Sequence, residues 1–233
     1  MGGAGGMGGM GGAGATGGAG AGAGGSGGIT GNPPGWWTHA SWHGCPWTAI
    51  DSVSGTTTNM MPRDFVNHMP GTGYCVSGGV HGDYEAFALL GFNLNDTPNG
   101  MANQCAYDPA APPTTMGTPA VTLTGTGIAI NFTMSVVSEL RIQIEGPLAP
   151  IDPNNRWCAV IPATTGPRFV PYSAFNTQCW QGGMGTGFNP ASSPISAIGF
   201  IVPGFLGVPT SYNFCINGFA TGTSAADAPN WAP

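Results

Sequence analysis

The sequence predicts an all-β protein, a jelly-roll β-sandwich preceded by a glycine-rich extended arm. Three observations carry that reading. In residues 127–145, Ile128, Ile130, Phe132 and Met134 alternate with Ala129, Asn131 and Thr133, and Leu140, Ile142 and Ile144 alternate with Arg141, Gln143 and Glu145. A period of two sets successive side chains on opposite faces of a half-buried strand. Similar short runs recur along the chain between Gly, Pro, Asn and Asp clusters, with no sustained helical period. Residues 1–28 are almost pure Gly, Ala and Met. The chain divides accordingly into an arm (1–31), a Trp/His-rich linker packed on the domain (32–46), the sandwich (47–220) and a C-terminal tail (221–233).

Composition narrows the function classes. Gly (42) and Pro (22) together exceed a quarter of the 233 residues, yet the glycines crowd into the arm and leave a domain with ordinary apolar content. Only 6% of residues are charged, against roughly 25% in typical soluble domains. With four arginines, no lysine and a net charge of -6, the chain has no basic footprint for nucleic acid or an anionic membrane surface. No apolar run reaches the roughly 18 residues that a membrane-spanning helix needs.

Along the arm, the triplets GGA and GGM repeat and then loosen, placing glycine at Gly2, Gly3, Gly5, Gly6, Gly8, Gly9, Gly11 and Gly12. A three-residue step is that of a polyproline-II-type helix, which has no internal hydrogen bonds. Alone, such a segment is a flexible tether. Side by side, extended glycine chains can bond to one another, which makes the arm an assembly element. Trp36, Trp37, Trp42 and Trp47 then anchor the linker, while His39 and His43 lie four apart among Gly, Pro and Trp residues that do not favour the helix a metal pair would need.

Within the domain, 47–53 reads as a first strand and 56–70 as an irregular crossing. Strands follow at 74–77 and 86–95, with a glycine-rich turn between them, and a proline-rich loop at 99–119. The two runs of 127–145 are expected to pair as antiparallel neighbours, setting Arg141, Gln143, Glu145, Asn131 and Thr133 on one polar surface. Beyond them lie a loop at 146–155, strands at 156–161, at the start of 168–179 and at 195–203, and a last strand at 211–220. Asn95-Asp-Thr97 and Asn131-Phe-Thr133 match glycosylation acceptors.

Six dispersed cysteines, Cys45, Cys75, Cys105, Cys158, Cys179 and Cys215, form no C-x-x-C pair, which disfavours structural zinc and favours three disulfides in an oxidising compartment. Fifteen pairings are open. An exported chain implies a leader ahead of Met1.

The runs YCVSGGVHGDYEAFALLGFNLN, GIAINFTM, LRIQIEGP, RFVPYSAFNTQCW, FNPASSPISAIGFIVPG and YNFCINGF together resemble bacterial carbohydrate-binding jelly-roll modules with the galactose-binding-like fold, over roughly residues 47–220. The resemblance implies a groove face carrying Arg141, Gln143 and Glu145 as glycan-binding candidates, with Tyr172 and Trp180 near its rim. Such modules commonly hold a structural calcium with a paired Asp in the last strand. Here Asn217 and Gly218 stand there, leaving Asp51 as a weak calcium ligand, and no other cofactor is implied. No G-x-S-x-G elbow between a strand and a helix, no H-E-x-x-H and no P-loop pattern occurs; the literal match GGSGG at 24–28 falls in the low-complexity glycine arm.

The expected function is a non-catalytic, extracellular or cell-surface structural subunit that assembles with copies of itself through its arm. A tethered glycan-binding module and a secreted hydrolase are the alternatives.

Overall fold

The computed structural model describes residues 35–51, 59–62, 65–69, 72–97, 105, 119–136, 139–162, 164–181 and 184–231. The glycine arm and most of the 99–119 loop lie outside the described residues. Twelve strands are described: β1 (Trp37–His39), β2 (Trp42–Gly44), β3 (Pro46–Ile50), β4 (Asn59–Met61), β5 (Tyr74–Val80), β6 (Phe87–Asn93), β7 (Gly127–Val136), β8 (Leu140–Glu145), β9 (Arg156–Ile161), β10 (Gly166–Pro171), β11 (Ala197–Pro203) and β12 (Thr210–Gly222).

Two five-stranded antiparallel sheets face each other. The front sheet has the order β10-β7-β12-β5-β4 and the back sheet β3-β6-β11-β8-β9. From β5 onward the chain crosses between sheets at each step except the β8–β9 hairpin. The last eight strands, taken as 1 to 8, thus stand in the orders 6-3-8-1 and 2-7-4-5, which is jelly-roll connectivity. The core is what the alternation predicts. Ile128, Ile130 and Phe132 point inward from β7, and Leu140, Ile142 and Ile144 from β8, all fully buried against Leu90, Phe92, Phe200 and Phe214.

The two runs of 127–145 are strands but not neighbours. β7 pairs with β10 and β12, whereas β8 pairs with β11 and β9. A short polar connection fits a hairpin and a crossing between sheets equally well, and the buried faces of both strands are satisfied only across the sandwich. Asn131 and Thr133 therefore lie on the outer face of the front sheet, and Arg141, Gln143 and Glu145 on the outer face of the back sheet. The expected single polar surface does not exist. Two further elements depart from expectation. The crossing at 56–70 contributes β4, which pairs with β5, and Gly78 and Gly79 belong to β5 rather than to a turn.

The Trp/His-rich segment folds as the β1–β2 hairpin, turning at Ala40 with a positive φ of 53°. Trp36, Trp37, Trp42 and Trp47 are buried, and the Trp37 indole N–H donates to the Asn93 carbonyl at 3.0 Å. A bulge between Ile216 and Gly218 shifts the phase of β12, turning Phe219 into the core. The same bulge receives the tail. The Trp231 peptide N–H donates to the Asn217 carbonyl, and its ring lies 5.0 Å from Phe219 and 5.4 Å from Trp37.

All six cysteines pair, as Cys45–Cys105, Cys75–Cys215 and Cys158–Cys179. Such bridges form and persist in oxidising compartments. No helix among the described residues is long and apolar enough to cross a membrane.

Candidate functional site

The outer face of the back sheet collects three of the predicted site residues. Strand register lays it out in rows. Trp47, Gly91, Gly199, Gln143 and Cys158 form one, flanked by Asn93–Ala197–Glu145–Arg156 on one side and Ala49–Leu89–Ile201–Arg141–Val160 on the other. The two adjacent glycines make a trough that large side chains fill. A Cβ on Gly91 would lie 2.3 Å from the Trp47 ring, and one on Gly199 would lie 2.6 Å from Leu89 Cδ1. This half of the face is itself a small apolar cluster of Trp47, Leu89 and Ala197. Both faces of β6 are buried, which explains its nearly unbroken apolar run FALLGFN.

Polar groups close one end of the trough. The Trp47 indole N–H donates to Asn93 Oδ1 at 2.9 Å, and the Asn93 amide donates to Asp96 at 3.0 and 3.2 Å. Asp96 also accepts from the Cys45 peptide N–H at 2.9 Å. Sequence reasoning missed this network. Its one signal is that Asn93 interrupts the apolar run three residues before Asp96.

On the other half, the Gln143 amide donates to Glu145 Oε1 at 2.5 Å. Glu145 is only 5% exposed, and burial holds its carboxyl above the ordinary range, an effect partly offset by the Arg156 guanidinium and the Gln143 hydrogen bond. Arg141 pairs with Glu139 at 2.5 Å, both partly exposed, a geometry that contributes about 1 kcal/mol or less. Glu139 and Glu145 stand six residues apart along a strand direction, about 20 Å, beyond the roughly 5–10 Å over which paired carboxylates cleave glycosides.

The two aromatic candidates separate. Trp180, in the 3-10 turn Cys179–Gln181, is 45% exposed, and the Cys158–Cys179 bridge ties that turn to the outer face of β9, in register with Gln143. Trp180 is therefore exposed next to a residue bridged to that face. Tyr172 does not lie at the rim. It is 5% exposed, packs on Phe188 in the core, and donates its hydroxyl to the Thr124 carbonyl at 2.7 Å. Burial pushes its phenol well above the ordinary range. Its place directly after β10, at the start of the 3-10 turn Tyr172–Ala174, turns it inward.

Asp51, the calcium candidate, caps the end of β3. Its peptide N–H donates to the Phe87 carbonyl and its carboxylate accepts from the Phe87 N–H at 3.3 Å. Among the described residues no three His, Cys, Asp or Glu side chains converge in a metal-holding group. His39 and His43 sit on the two strands of a hairpin, with the His43 ring stacked on Trp36 at 5.9 Å. A separate shallow cleft of about 140 Å³ lies beside that hairpin, lined by His39, Ser41, Trp42, Thr122, Thr124 and Thr221 among others. Burial lowers the pKa of His39, so the lining is uncharged at neutral pH.

Chemically, the back face offers a paired cation, an amide, a buried carboxyl and a half-exposed indole. That set can hold a neutral, hydroxyl-bearing ligand by hydrogen bonding and stacking. Comparison with protein-family models, curated proteins and solved structures finds no match to this chain.

Proposed function

We propose that the protein is a non-catalytic extracellular structural subunit. Its disulfide-stapled sandwich is displayed by a glycine-rich arm that joins copies of the chain. The observation that carries this is the arm's GGA/GGM triplet period ending at a fixed anchor. A Cβ on Gly35 would lie 2.4 Å from the Phe65 carbonyl oxygen, and Trp36 and Trp37 are buried immediately after it. A tether needs no periodicity and no rigid exit, whereas an assembling strand benefits from both.

The sheet edges favour the same division of labour. β10 carries Pro167 and Pro171, β4 has three residues and runs into Pro62, β3 opens with Pro46, and the free side of β9 bridges to Asn176. Prolines and short or covered edges discourage strand addition, which leaves the arm as the joining element. Both sheets, the core and all three bridges lie within residues 35–231, so a chain without the arm keeps the whole sandwich. Negative-stain imaging of the secreted protein tests the reading. Filaments or defined oligomers are expected from the full chain and single particles from residues 32–233. Single particles from both would reject it.

One observation favours a second reading, a tethered glycan-binding module: Trp180 is half-exposed, and its neighbour Cys179 is bridged to Cys158, which lies in register with Gln143 on the back face. A glycan array probed with the wild type and with Trp180→Ala separates the two, since binding lost in the variant assigns a ligand site to this rim.

A further inference from the structure

We propose that the tip formed by loops 81–86 and 204–209 is the docking surface for the arm of a neighbouring copy, so that chains join head to tail. This rests on the reading of the arm as the assembly element, and adds the surface that receives it.

The two loops are stitched into one unit. The Gly207 N–H donates to the Gly82 carbonyl at 3.0 Å and the Gly204 N–H to the Ala86 carbonyl at 2.7 Å. The approach is close enough that a Cβ on Gly204 would lie 2.1 Å from the Asp83 carbonyl oxygen. On these hydrogen-bonded loops Tyr84 is 72%, Leu206 66% and Val208 59% exposed. Contiguous exposed apolar side chains rimmed by polar residues are the kind of surface that partners cover.

Position and charge then select the occupant. β6 and β12 both start at this tip, at Phe87 and Thr210, and both finish beside the hairpin from which the arm leaves. There the His43 N–H donates to the Leu94 carbonyl, and Trp42 and Trp37 pack on Phe219. Seven residues of strand put the tip at least about 20 Å from the arm's exit. Asp83 and Glu85 flank Tyr84, so a second copy of this acidic domain meets like charge at the tip. Residues 1–34 contain no charged side chain at all. They offer free backbone donors and acceptors from glycine, and thioethers at Met7 and Met10, which pack well on an aromatic ring such as Tyr84. An arm at one end and its receptor at the other make a heterologous contact, which propagates instead of closing on itself.

Complementation in sedimentation velocity tests this with two chains: the full chain carrying Tyr84→Ser and Leu206→Ser (arm present, tip broken) and residues 32–233 (tip present, arm absent). The wild-type chain is expected to associate and each altered chain to sediment as a monomer. Their mixture is expected to form a one-to-one dimer that grows no further, and Val208→Glu in the full chain is expected to weaken association at least tenfold. If both tip-altered chains associate as the wild type does, the arm docks elsewhere and this inference is wrong, while the arm's role stands. If residues 32–233 associate as strongly as the full chain, or the full chain is a monomer, both readings fall.

Discussion

Gly91→Ala isolates the packing of the back face in a single atom. The added Cβ would sit 2.3 Å from both Cε2 and Cζ2 of Trp47 and 2.7 Å from its Cη2. The indole cannot slide within the sheet, because its N–H is fixed to Asn93 Oδ1. It must lift away, losing that hydrogen bond, about 0.5–1.5 kcal/mol, and part of its buried area, so the net cost is about 2–4 kcal/mol. For a domain of this size that lowers Tm by roughly 5–15 °C. The assay is a double-mutant cycle in urea with Trp47→Ala. Once the indole is gone, the three atoms nearest the added Cβ are gone with it and the mid-strand glycine penalty is removed, so Gly91→Ala becomes stabilising by about 0.5–1 kcal/mol. A cost that is equal in both backgrounds, or absent in the wild type, would refute the reasoning.

Two further predictions follow from the same face and from the bridges. Glu145 has a folded-state pKa above its unfolded value, so its contribution is fully present at low pH and is lost as pH rises through the folded pKa. Glu145→Gln keeps the acceptor for Gln143 and removes that loss. In urea titrations from pH 4 to 8 the variant should gain on the wild type as pH increases, and parallel profiles would contradict the burial argument. Cys75–Cys215 joins neighbouring strands β5 and β12 across 140 residues, whereas Cys158–Cys179 closes 21. Chain entropy gives about 5 and 3 kcal/mol respectively. Replacing the first pair by alanine should therefore lower the urea midpoint more than replacing the second, and the reverse order would show that native-state strain or residual structure dominates.

Much of the sandwich was legible in the sequence because its strands alternate cleanly. Leu140, Ile142 and Ile144 announce β8, and β9 falls at 156–161 as read. Sheet membership was not legible. An inward-facing Ile128 or Ile142 is satisfied by any opposing apolar face, so alternation fixes which side is buried but not which strand lies alongside, and β7 and β8 were expected to be partners for that reason. β4 escaped because three residues carry no period, and the hairpin of β1 and β2 because tryptophans on both sides of a turn at Ala40 do not alternate. Of the candidate site, Arg141, Gln143 and Glu145 share a face as read. The network of Trp47, Asn93 and Asp96 at the other end of the face comes from 45 and more residues away, and the order β3-β6-β11-β8 sets it on the same sheet. Tyr172 was misplaced because nothing local distinguishes an aromatic that folds inward after an edge strand from one at a rim.

Whether the arm joins copies of the sandwich is decided by sedimentation velocity of the full chain and of residues 32–233 over the same concentration series. Association that grows with concentration is expected for the full chain and a constant monomer for the shortened one. Identical monomeric profiles for the two would contradict it and leave the arm as a tether.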